Sequence, residues 1–170
     1  MFKKLLIALM LVGSTLSAQS RLDSLIPAQP KNFVTDVANL FSTEAENTMN
    51  NISKSTQSRL GGDIAVLTLP DIGDYQPYEV AMTAGRKWKV GGTGPIGSSQ
   101  RNLGVVVLVV PRTPEHKGEC FISTGMGTEG FITDSRAGSI CGDNIPLFRD
   151  GNYEQATINI MNSVARLMNV

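Results

Sequence analysis

The segment Gly125-Met126-Gly127-Thr128-Glu129-Gly130, continuing through Phe131-Ile132-Thr133 to Asp134, sets two carboxylates in a run of three glycines. Glycine permits positive φ and leaves carbonyls and amides uncovered, and hard cations take oxygen ligands. The expected chemistry is Ca²⁺ or Mg²⁺ binding by Glu129 and Asp134. Gly125, Gly127 and Gly130 would supply backbone, and Asp36 and Asp143 further carboxylates. A cation so held could polarise a phosphoryl oxygen and activate water. Each acid also has a plainer reading: Asp134 as a helix cap, Glu129 as a solvated loop acid, Asp36 as a turn cap and Asp143 as a surface helix acid.

The same glycines spell G-x-G-x-x-G, the fingerprint of a dinucleotide site. That site needs a helix opening on the third glycine and a parallel strand after it. Neither follows Gly130, so the match is rejected. Other templates fail by elimination. A Cys-x5-Arg phosphatase needs arginine six positions after its cysteine, where Cys120 and Cys141 have Met126 and Leu147. His116 is the only histidine and sits in the charged turn Pro114-Glu115-His116-Lys117, which gives neither a Ser-His triad nor three zinc ligands. The Gly91 to Gly97 stretch has no Gly-Lys-Ser/Thr, which excludes a P-loop.

The elements that must position the loop follow from periodicity. Ser42 or Thr43 caps a helix with Ala45, Met49, Ile52 and Leu60 inward, with Thr43 and Glu46 placed as a capping box, and Gly61-Gly62 ends it. Asp63 to Pro70 reads as a strand. Asp74 and Pro77 open a helix burying Val80, Ala81, Ala84 and Trp88. Leu103 to Pro111 is apolar on both faces, as a central covered strand requires, and Gly118 to Thr124 is its antiparallel partner because the connection is too short for a parallel crossover. Asp134 to Asn144 is helical, Pro146 breaks it, and Asn152 begins a last helix with Ala156, Ile160, Val164, Leu167 and Met168 inward. The expected fold is a small layered α/β/α domain with a mixed, three- to four-stranded sheet in the order α-β-α-β-β-α-α.

Lys3-Lys4, the apolar run Leu5 to Val12 and small residues up to Ser20 read as a signal peptide over residues 1–20. Residues 21–32 read as a linker and 33–170 as the domain. The chain carries 15 bases and 15 acids; losing Lys3 and Lys4 leaves 13 against 15, a net charge of −2. With that balance and no basic run beyond Arg86-Lys87-Trp88-Lys89, nucleic acid is not an expected partner. No later apolar stretch reaches spanning length, so the mature chain is expected to be exported, periplasmic or secreted, without a transmembrane segment. In that oxidising space Cys120 and Cys141 either form a bridge or remain buried thiols, and the sequence leaves both open.

The stretches "VTDVANLFS", "GGDIAVLTLP", "WKVG", "NLGVVVLVV", "ISTGMGTEGFITD" and "NIPLFRDGNY", in this order, resemble the TPM domain family of exported bacterial proteins and a thylakoid-lumen protein. The resemblance spans nearly all of residues 33–170. It departs at Arg101-Asn102-Leu103-Gly104, where the family's acid before the central strand is missing. It implies a role in maintaining or assembling membrane protein complexes, with an envelope protein or complex as partner. The activity attributed to the thylakoid relative implies the alternative, a divalent-metal-dependent phosphatase acting on phosphomonoesters.

Overall fold

The computed structural model describes residues 21–92 and 102–169, so the signal-peptide expectation and most of the Gly91 to Asn102 loop lie outside the described residues. Four strands, β1 (Val34–Asp36), β2 (Asp63–Thr68), β3 (Gly104–Val110) and β4 (Glu119–Thr124), form one sheet in the order β1-β2-β3-β4. β1, β2 and β3 are parallel, and β4 is antiparallel to β3. The helices are α1 (Thr43–Leu60), α2 (Pro77–Trp88), α3 (Asp134–Asp143), α4 (Ile145–Arg149) and α5 (Tyr153–Met168).

The alternation of side chains along β2 and β3 divides the core. Ile64, Val66, Val105, Val107 and Val109 face a layer built with Met49, Ile140, Ile160, Met161 and Val164 from α1, α3 and α5. Ala65, Leu67, Val106, Leu108 and Val110 face the other way, onto Val80, Ala81, Ala84 and Trp88 of α2. Every residue of β3 is buried because both its faces are covered. The expected α/β/α layering with a mixed sheet is what the chain forms.

Three expectations need correction. Ahead of the first expected helix, Val34–Asp36 is a strand that pairs with Val66 to Thr68. Three residues give too little period-2 signal to be recognised, and the pairing to β2 supplies what local propensity lacks. Pro146 does not only end a helix: it occupies the first turn of the short α4, where its missing N–H costs nothing. Residues 21–32 are not a free linker. Residues 21–25 are helical, and Leu22 and Ile26 are 5% and 1% exposed against the α2 side of the sheet. Lys87 Nζ donates to the carbonyls of Asp23 and Ile26, and Trp88 Nε1 to that of Pro27.

The docked segment is therefore part of the folded domain. Ile26→Ala is expected to cost about 2–3 kcal/mol, the lower part of the range for truncating a buried isoleucine. Urea unfolding checks this; a variant indistinguishable from wild type would mean that the segment adds no stability.

One of the two caps expected for α1 is the one used, and the cap of α3 falls one residue before the expected one. Ser42, not Thr43, caps α1, its hydroxyl accepting from the Ala45 N–H, while Glu154 from α5 accepts from the Ser42 N–H. Thr133, not Asp134, caps α3 by accepting from the Arg136 N–H. Asp134 falls in the first turn, where a negative charge suits the helix dipole.

Candidate functional site

Parallel pairing of β1 to β3 places Asp36, Thr68 and Val110 at one edge of the sheet, beside Glu119 at the start of β4. Asp63, Gly104 and Thr124 mark the opposite edge. The glycine loop leaves β4 at the second edge, as expected from the antiparallel hairpin: Gly125 N–H donates to Gly104 O and Gly127 N–H to Asn102 O.

This geometry separates the four predicted acids. Glu129 and Asp134 are both exposed and stay near the glycine loop. Asp36 stands at the other edge with its carboxylate already engaged: Oδ2 accepts from the Phe41 N–H at 2.8 Å, and Oδ1 accepts from the Thr68 hydroxyl. Thr68 Oγ1 in turn accepts from the Ala38 N–H, so Asp36 organises the turn between β1 and α1 and explains "VTDVANLFS". Asp143 closes α3, about 13 Å from Asp134 at 1.5 Å per residue. It lines a polar groove with Asn144, Asn159, Asn162, Ser163 and Arg166. Among the described residues no group of three or more His, Cys, Asp or Glu is placed to hold a metal ion.

The loop backbone is also less bare than its sequence suggests. Gly125 O accepts from the amide and hydroxyl of Thr128, Thr128 O accepts from the Phe131 and Ile132 amides, and Phe131 O accepts from Arg136 Nη1 at 2.7 Å. Gly125 and Gly130 do not adopt positive φ. Gly125 is needed for a different reason, close approach: a Cβ there would lie 2.2 Å from Asn102 O. The fingerprint reading fails structurally as well, since β4 is the last strand and the helix after Gly130 starts at Asp134.

The larger recess lies at the carboxyl edge of the sheet, the side on which open α/β sheets usually bind ligands. It is a cleft of about 550 Å³ between the β3–β4 connection, β4, α3 and α4. Arg112, Lys117 and Arg149 line it with one carboxylate, Glu119, so cationic charge predominates. Among the described residues none of these three cations forms an ion pair. Phe148 and Tyr153 form an aromatic wall, their rings 5.8 Å apart, and Tyr153 Oη accepts from the Arg112 N–H. That bond leaves the Tyr153 hydroxyl proton available to a ligand.

The cleft wall is fixed covalently. Cys120 of β4 and Cys141 of α3 form a disulfide, with Cα atoms 5.8 Å apart, and both cysteines line the recess. The connection Pro111 to Gly118 is held by Thr113, whose hydroxyl accepts from the amides of Glu115 and His116. Hydrogen bonding from Thr113 also keeps the Glu115 carboxyl below the usual carboxylate range, with its own backbone N–H adding to the effect. Gly118 has φ +76°, and an added Cβ would sit 2.8 Å from Arg112 N, so glycine is required to turn the chain into β4.

Arg112, Lys117, Arg149 and Tyr153 form no contiguous basic run, so the sequence does not single them out. The cations are five and thirty-two positions apart and converge only through the fold. A partial signal existed: "FRDGNY" holds Arg149 and Tyr153 together, and Arg112 and Lys117 bracket the turn that follows the buried strand.

These features define a three-layer α/β domain with a mixed sheet and a cation-lined cleft at the carboxyl ends of its strands. The TPM domain pattern matches residues 34–167, and the chain belongs to that family. Its fold is similar to the solution NMR structure of the N-terminal domain of a protein from P. gingivalis, at 28% identity, 86% coverage of this chain, 90% of that chain and a TM-score of 0.70. It is similar in fold to the N-terminal domain of the cg2496 protein from Corynebacterium glutamicum, at 14% identity, 85% and 87% coverage and a TM-score of 0.56. No curated protein matches the chain.

Proposed function

We propose that this chain is an exported, non-catalytic accessory domain that engages proteins of envelope membrane complexes through the cleft at the carboxyl edge of its sheet. The observation that carries the reading is the convergence of Arg112, Lys117 and Arg149, without ion-pair partners among the described residues, beside the Tyr153 hydroxyl. Guanidinium groups bind carboxylates and phosphates through paired N–H donors, and a rigid wall spares the ordering cost of binding. The Cys120–Cys141 bridge supports an oxidising compartment, and no described helix is long and apolar enough to cross a membrane. Family membership supports an accessory role in the sense that the resemblance implies.

The divalent-cation expectation is not carried into this reading. Asp36 and Asp143 stand apart from Glu129 and Asp134, among the described residues no three such groups are placed to hold an ion, and the Arg136 guanidinium already bonds a carbonyl of the glycine loop. The phosphatase alternative gains no support from the cleft, whose lining presents no nucleophile paired with a general base.

Charge reversal tests the proposal. In cross-linking from envelope extracts, R112E/R149E is expected to lose at least nine-tenths of the captured membrane-complex subunits, while E129A/D134A retains them. Equal capture by R112E/R149E and wild type would overturn the cleft as the binding site. Hydrolysis of p-nitrophenyl phosphate that R112E/R149E abolishes would replace the accessory reading with the phosphatase one.

A further inference from the structure

The two edges of the sheet are protected unequally. β1 is three residues long, and short edge strands resist unplanned pairing. β4 has six residues, no proline, and a single charge at its first position. Its hydrogen-bonding register follows from the bond between Gly125 N–H and Gly104 O together with the pairing of Val105 with Thr124. Gly104 and Gly125 are a hydrogen-bonded pair, so alternation assigns the inward bonds of β4 to Glu119, Phe121 and Ser123. The backbone groups of Cys120, Ile122 and Thr124 therefore point away from β3. No described residue hydrogen-bonds to them.

This free edge runs into the cationic cleft, because Glu119 and Cys120 at its start belong to the cleft wall. The neighbouring shoulder of α3 is low. Gly138 and Gly142, four positions apart and thus on one side of the helix, both line the cleft, and neither has any atom within 4 Å of where a Cβ would stand. At these two positions the helix presents no side chain to the cleft and leaves open space beside it.

We infer that the outer edge of β4 accepts an acidic, extended segment of a partner protein as a fifth strand, with the segment's carboxylates on Arg112, Lys117 and Arg149. Addition of a strand draws affinity from main-chain bonds and specificity from the side chains at its ends, here by charge complementarity. The inference rests on the cleft being the binding site proposed above and adds the partner's conformation and chemistry.

The test uses the domain with its disulfide intact and a fluorescein-labelled eight-residue peptide of alternating valine and glutamate, read by fluorescence anisotropy and amide hydrogen exchange. The expected result is saturable binding, with slowed exchange at the amides of Cys120, Ile122 and Thr124. Methylation of the peptide amides that face β4 preserves charge and abolishes strand pairing, and should weaken binding at least tenfold. So should lysine in place of glutamate, and so should R112E/R149E at an unchanged melting temperature. Equal binding of the methylated peptide, or displacement of the unmodified peptide by millimolar inorganic phosphate with no slowed exchange in β4, would overturn strand addition and leave a small-anion site. Edge-to-edge dimerisation of the free domain in light scattering would overturn it in favour of a second copy. Failure of the peptide alongside cleft-dependent capture of a membrane-complex subunit sinks this inference alone; failure of both removes the proposed function too.

Discussion

Gly125→Ala is expected to destabilise the domain by about 3 kcal/mol, the upper part of the range for overpacking, and to lower its melting temperature by on the order of 10 °C. The added Cβ would lie 2.2 Å from Asn102 O and 3.1 Å from Asn102 C, both backbone atoms that no rotamer change can move. Relief requires pulling the end of β4 away from Asn102, which strains the bonds from Gly125 N–H to Gly104 O at 2.8 Å and from Gly127 N–H to Asn102 O at 3.2 Å. Asn102 has little freedom to yield, since it already sits at φ 58°. Gly130→Ala is the control within the same motif: its Cβ would meet nothing within 4 Å and its φ is not positive, so a change within about 0.5 kcal/mol is expected. Thermal unfolding of the two variants decides. Equal stability would mean that the glycines of the loop are interchangeable and that close approach does not explain Gly125.

Removal of the Cys120–Cys141 bridge is expected to cost about 3 kcal/mol. The cysteines are 21 positions apart, and closing a loop of that size restricts the unfolded chain by roughly this amount. The native geometry should survive, because α3 is also held by Ala137 and Ile140 in the core and by Asn144, whose side-chain amide donates to Ile140 O and accepts from Asn159. Urea unfolding of C120S/C141S should therefore show a lower midpoint together with a larger m-value, since the unfolded chain becomes more expanded. A midpoint equal to wild type would show that the bridge contributes no stability.

Most of the fold was legible because its strongest signals are local. An unbroken run such as Val105 to Val110 has no exposed face to mark, and that absence of alternation identifies a strand covered on both sides. Helical spacing correctly placed Val80, Ala81, Ala84 and Trp88 inside. What was missed depends on contacts far apart in the chain. β1 is a strand by virtue of Val66 to Thr68, and residues 21–26 are ordered by Lys87 and Trp88 more than sixty positions on. The segment's Pro27 and Pro30 suggested a linker because local composition carries no information about the face onto which it docks.

The candidate site was less legible for the same reason. Grouping Glu129 and Asp134 with Asp36 required knowing which edge each strand end reaches, and parallel pairing sends Asp36 to the other one. The motifs that carry the family resemblance prove to interlock as structure. Asp63 of "GGDIAVLTLP" accepts from the Gly91 N–H at the end of "WKVG", and Asp36 of "VTDVANLFS" accepts from the hydroxyl of Thr68. Cations contributed by separate turns, by contrast, leave no contiguous trace and become a group only when the chain folds.

The bridge between residues 120 and 141 encloses the whole glycine loop, including Met126, which is 76% exposed. A protease that nicks the backbone at Met126 opens a closed ring without liberating a fragment, because both halves stay joined through sulfur. Such a nicked molecule would keep its layers together and gain only the water of hydrolysis, and its two pieces would part only under reducing electrophoresis.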